Sequence, residues 1–99
     1  MEIIKTQKEA ELILNIKGSL DSTTSYDLEQ VIDKSLKGIK RLIFECQDLE
    51  YISSAGLRVI LRSQKIMNER GGEAIFRHIN NDVMDILAVT GFLKILTIE

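Results

Sequence analysis

Tyr51-Ile52-Ser53-Ser54-Ala55-Gly56-Leu57 is the stretch on which the reading of this chain turns. Two adjacent hydroxyls and two small residues stand just ahead of an apolar stripe at helical spacing, Leu57, Ile60, Leu61 and Met67. Arg58, Arg62, Lys65 and Glu69 fall on the polar side of the same segment, and Gly71-Gly72 stops it. The spacing predicts a helix beginning near Ser54, so the heptapeptide is a strand-to-helix turn. Its serines read first as helix caps, because a serine oxygen accepts from a free N–H of the first turn and stabilises the helix by about 1 kcal/mol.

Upstream, Arg41-Leu42-Ile43-Phe44-Glu45-Cys46 is a short apolar run with flanking charge, the pattern of a central strand covered on both faces. Gln47-Asp48-Leu49-Glu50 reads as the loop that leads to the turn. Before that, Leu28, Val31, Ile32 and Leu36 recur at helical spacing, with caps offered by Ser22, Thr23, Thr24 and Ser25 and a stop at Gly38. Glu11 to Lys17 alternates as a strand that Gly18 ends, and Glu2 to Thr6 pairs with it through the hairpin Gln7-Lys8-Glu9-Ala10. Downstream, Ala74 to Ile79 is a strand containing His78, and Asn80-Asn81-Asp82 starts a helix through Val83, Ile86 and Leu87 that Gly91 ends. Lys94 to Ile98 reads as a last strand or edge segment.

Strands and helices alternate, so the expected fold class is α/β: one domain over residues 1–99, with a mixed sheet of about four to five strands packed with helices. With 99 residues, 44% of them hydrophobic, the chain can bury one modest core. A net charge of -2 without a block of like charges disfavours nucleic acid and membrane surfaces as partners. Cys46 is the only cysteine and His78 the only histidine, which excludes an internal disulfide and a Cys/His metal site. No segment approaches a membrane span of about 20 apolar residues, and Met1 to Lys5 lacks a leader pattern. A cytoplasmic protein without metal or cofactor is expected.

Chemistry concentrates at the serine turn. A helix N-terminus tolerates a phosphate, through its free N–H groups and the positive end of its dipole. Ser54 as a nucleophile would need a base, and the sequence offers none beside it, so no catalytic residue is assigned. Cys46 falls in a buried-strand pattern and reads as a small apolar core residue. Arg58 and Arg62, one helical turn apart, are either solvated or placed for an acidic partner.

Gly18-Ser19-Leu20-Asp21, Ser53-Ser54-Ala55-Gly56-Leu57, Gly71-Gly72 and Gly91-Phe92-Leu93-Lys94-Ile95, in this order, resemble the anti-sigma factor antagonist family, whose single domain is of the type called STAS. The resemblance covers nearly the whole chain. It implies that the residue two before Gly56, Ser54, is phosphorylated by an anti-sigma factor that is itself a serine kinase, with Ser53 a lesser alternative. It implies partner binding through Asp21, Ser53, Ser54, Ala55 and Gly56, and Arg58, on the helix that abuts Ser54, is assigned to the same surface. It further implies a serine phosphatase for reset and a chain that is a substrate rather than an enzyme, monomeric when free. Asp21 reads equally as an Asx turn or helix cap. Two departures stand out: the family commonly has Asp where this chain has Ser53, and a second hydroxyl where it has Ala55. A constitutive interaction module, with Ser54 only a helix cap, is the other reading.

Overall fold

Leu12, Leu14 and Ile16 alternate along one strand and all three are fully buried, and this strand organises the molecule. The computed structural model describes residues 1–99. In chain order the elements are β1 Glu2–Lys8, β2 Glu11–Leu20, α1 Thr24–Ser35, β3 Arg41–Glu45, β4 Leu49–Ile52, α2 Ser54–Glu69, β5 Glu73–Arg77 and α3 Asn81–Thr90, followed by a 3-10 turn at Phe92–Lys94. The sheet has five strands in the order β1-β2-β3-β5, with β4 paired to the far half of β2. Only the β1–β2 pairing is antiparallel; β2–β3, β3–β5 and β2–β4 are parallel, with α1 in the connection from β2 to β3 and on to β4, and α2 in the connection from β3 to β5. The fold is thus the expected mixed sheet with three helices.

Leu42, Phe44, Ala74 and Phe76 continue the inner face across β3 and β5. There they meet Leu28 and Ile32 of α1, Leu57, Ile60 and Met67 of α2, and Val83 and Leu87 of α3 in one buried cluster. Phe44 and Phe76 lie in register and stack with ring centroids 4.7 Å apart, an arrangement that adds to the area they bury. Leu61 differs from the sequence reading: it is half-buried, while Val59 and the polar Ser63 and Gln64 complete the buried face of α2.

Gly18 does not end β2. With φ +93° it sits where the strand's register shifts, and its N–H donates to the Asp48 carbonyl (3.0 Å). The glycine lets β2 bulge and exchange one neighbour for another: residues 11–15 pair with β3, residues 18–20 with β4. The segment read as a loop at 47–50 therefore runs into a strand. Leu49 and Ile52 are buried while Glu50 and Tyr51 are exposed, so β4 shows no alternation by which a sequence could announce it.

One further expectation is narrowed and another corrected. The tail is an edge segment and not a full strand: after Gly91 (φ +82°) closes α3, the chain makes its 3-10 turn, and Ile98 alone bridges to Phe76 along the open edge of β5. Gln64 satisfies the intervening backbone, its amide donating to the Ile95 carbonyl (2.8 Å) and accepting from the Thr97 N–H (3.2 Å). His78 is not an apolar strand residue either. β5 stops at Arg77, and His78 takes a left-handed φ of +58° with its side chain exposed, turned onto Glu45.

Candidate functional site at the start of the second long helix

The serine turn hangs from the end of β2. The Ser53 N–H donates to the Leu20 carbonyl (2.8 Å), the bond that joins the turn to the loop carrying Asp21. Gly56 makes this approach possible. A β-carbon there would stand 2.7 Å from Leu20 Cγ and 3.0 Å from the Leu20 carbonyl oxygen, so the glycine is needed for close packing while its φ stays outside the left-handed region.

Ser53, not Ser54, caps α2. Ser53 is extended (φ -91°, ψ 173°), its hydroxyl oxygen accepts from the Gly56 N–H (3.3 Å), and its carbonyl accepts from the Leu57 N–H (2.9 Å). The reading of Ser54 as a helix cap is thereby overturned. Ser54 is the first residue inside the helix, it is exposed, and its hydroxyl bonds to nothing else in the chain. The first turn of α2 carries no acidic residue, so the positive end of the helix dipole is not neutralised locally. Ala55 beside it is half-buried.

Asp21 caps α1. Its Oδ1 accepts from the N–H groups of Thr23 (2.9 Å) and Thr24 (3.0 Å), its own N–H donates to the Thr24 hydroxyl (2.8 Å), and its carbonyl accepts from the Ser25 N–H (2.8 Å). The bonds from the Thr24 and then the Thr23 backbone hold its carboxyl below the usual carboxylate range, so a fixed negative charge stands at the end of β2. None of the hydroxyls of Ser22, Thr23 or Ser25, offered by the sequence as caps, accepts from an N–H of the helix start in this way.

The two arginines of α2 part company. Arg62 is paired with Asp33 (3.1 Å) and Glu29 (3.6 Å) of α1, whereas Arg58, exposed and four residues after Ser54, forms no ion pair. Sequence reasoning grouped them because spacing alone cannot show that the carboxylates of α1 face only one. Tyr51, half-exposed in β4 three residues before Ser54, is a surface aromatic that it passed over.

Elsewhere, Glu45 at the end of β3 is nearly buried, accepting from Arg77 Nε (2.6 Å) and lying against His78 Nδ1. Burial pushes its carboxyl up, but the bonds and charges of Arg77 and His78 outweigh that and hold it below its ordinary value. This arrangement turns the only histidine onto a carboxylate, not onto Ser54. Cys46 packs in the core, as expected, where burial and the neighbouring Glu45 charge push its thiol up to about 12. No helix is long and apolar enough to cross a membrane, and no three of His, Cys, Asp and Glu gather as metal ligands.

The family model described as "STAS domain" matches residues 2–99. The chain belongs to the STAS domain family. Among the curated relatives of this STAS domain, the anti-sigma F factor antagonist of Paenibacillus polymyxa is 30% identical over 89 residues, covering 88% of the chain and 76% of the relative. BtrV of Bordetella bronchiseptica, also named as an anti-sigma factor antagonist, is 29% identical over 99 residues, covering 99% and 85%. The family is therefore that of the anti-sigma factor antagonists. Among solved structures, SpoIIAA in its unphosphorylated form superposes with a TM-score of 0.79 at 12% identity, over 99% of this chain and 87% of that one. SpoIIAA of Bacillus in its phosphorylated form gives 0.77 at 12% identity, over 99% and 91%, so the same fold serves both states of that protein.

Proposed function

We propose that this STAS domain is an anti-sigma factor antagonist that binds an anti-sigma serine kinase through the surface around Ser54 and is switched off by phosphorylation of Ser54. The observation that carries the reading is the division of labour in the turn: Ser53 caps the helix, leaving the Ser54 hydroxyl exposed and unbonded where a kinase can reach it. The names of the curated relatives support the general role. Unphosphorylated, the domain captures the kinase and frees a sigma factor; phosphorylated, it lets go. The kinase brings the ATP, and the chain is its substrate rather than a catalyst.

A phosphoserine adds about -1.5 to -2 charge at pH 7 at the N-terminal end of α2, where the helix dipole favours it, so the domain stays folded. The added bulk and charge act on the docked partner instead. If they remove about 3 kcal/mol of interface energy, affinity falls by roughly 100-fold, enough for a switch. Asp21, Ala55, Gly56 and Arg58 complete the docking surface in this reading, with the half-buried Ser53 at its edge. A serine phosphatase resets the cytoplasmic cycle.

The test is mass spectrometry after incubation with ATP and the candidate kinase, with Ser54→Ala and Ser53→Ala as controls. One added phosphate on Ser54 that weakens kinase binding about 100-fold is the expected result. Tight, ATP-independent binding that Ser54→Ala leaves untouched would make the domain a constitutive module and overturn the proposal.

A further inference from the structure

Arg58 has no assignment in the fold. Arg62, one turn further along α2, is held by Glu29 and Asp33, Arg41 by three carboxylates and Arg77 by Glu45, but Arg58 is exposed without an ion pair. It stands four residues after Ser54 on the same helix, so the two side chains rise from one face with β-carbons about 5–6 Å apart. Long side chains on a helix lean toward its N-terminus, which carries the Arg58 guanidinium back over the turn that Ser54 begins. No carboxylate in that turn competes for it, and the Ser53 hydroxyl beside it is engaged with the Gly56 N–H.

We propose that Arg58 closes onto the phosphate of phosphorylated Ser54, so that the modified domain carries an internal phosphoserine–arginine pair where the unmodified domain presents a free cation. The inference rests on the reading of Ser54 as the modified residue and adds a second consequence to it. A planar guanidinium matches phosphate with two parallel hydrogen bonds, a geometry that a lysine's single ammonium cannot reproduce. Phosphorylation then alters the docking surface twice: it installs a dianion, and it withdraws the one unpaired positive charge of the site from any acidic group on the partner. It also covers one side of the phosphate, so that a phosphatase must displace Arg58 to reach it.

The experiment uses the full chain with phosphoserine built in at position 54 by semisynthesis, which reads the pair whether or not a kinase acts there. Phosphorus NMR follows the second ionisation of the phosphate in the wild type, Arg58→Gln and Arg58→Lys. The wild-type midpoint is expected about 0.4 pH unit below that of Arg58→Gln, with Arg58→Lys between them. The gap should close in 1 M salt, where the screening length is only about 3 Å. A merely structural role for Arg58 would change none of these midpoints. Superimposable titrations of wild type and Arg58→Gln overturn the pairing. A kinase that fails to modify Ser54 sinks the switch reading instead, and leaves the titration result standing as chemistry of the helix.

Discussion

The edge of the sheet where β2, β3 and β5 begin and the turn where β4 passes into α2 both carry an arginine, and they treat it in opposite ways. At the first, Arg41 lies 3.6 Å from Glu11, 3.3 Å from Glu73 and 3.1 Å from Glu99, gathering carboxylates from two neighbouring strands and the chain end. At the second, Arg58 faces no carboxylate, and the Ser54 hydroxyl beside it has no partner. Charge enclosed by its own chain belongs to the fold. Charge left open beside an unbonded hydroxyl is available to another molecule. The difference lies in the neighbours, since both arginines are surface residues of ordinary elements.

The largest effect expected from breaking this contrast is at Gly56. An alanine there drives its β-carbon into Leu20, part of which is backbone that cannot swing aside. Gly56→Ala should cost about 1–3 kcal/mol in urea denaturation and weaken kinase capture, because the serine turn must lift from β2. A cost under about 0.5 kcal/mol would show that the close approach does not hold the site in place.

A smaller effect is expected at Glu45, and it sharpens the other side of the comparison. Its folded carboxyl lies below the unfolded value, so it adds stability at neutral pH that disappears as the pH falls below about 4.5 and through the lower folded value. Glu45→Gln should therefore flatten the acid limb of a stability profile and leave capture of the kinase at pH 7 unchanged; an unaltered limb would deny the pairing with Arg77 and His78. Asp21 contributes to the same limb with the same sign, its carboxyl being held low by the Thr24 and Thr23 backbone.

Arg41→Met should do least. Each of its ion pairs is solvent-exposed, so together they are worth about 1 kcal/mol or less. Partner affinity should not move. A tenfold loss of kinase binding in Arg41→Met would erase the distinction between the two regions.

How much of this the sequence disclosed depends on whether a feature is periodic. Leu12, Leu14 and Ile16, and the Leu57–Ile60–Met67 stripe, repeat with the period of their element, and the fold class follows from them. β4 was invisible because Leu49 and Ile52 bury three residues apart, and its partner is chosen by the bulge at Gly18, a feature of two strands at once. The sequence pointed to the serine turn as the site, but which of its two serines caps the helix is a matter of backbone angle. Only Ser53 has the extended conformation that turns its oxygen toward the Gly56 N–H. Likewise, His78 looked like part of an apolar strand, whereas β5 ends one residue before it, at the Arg77–Glu45 register pair, and His78 turns left-handed onto the same carboxylate.

Cys46 brings a property of a different kind. Buried and with its thiol pushed up to about 12, Cys46 holds almost no thiolate at pH 7. While folded, the domain is therefore indifferent to mild oxidants and to alkylating reagents, and a second cysteine introduced on the surface would take a label alone. The native thiol becomes reactive only when the core opens, so its rate of alkylation works as a clock for unfolding, already built into the chain.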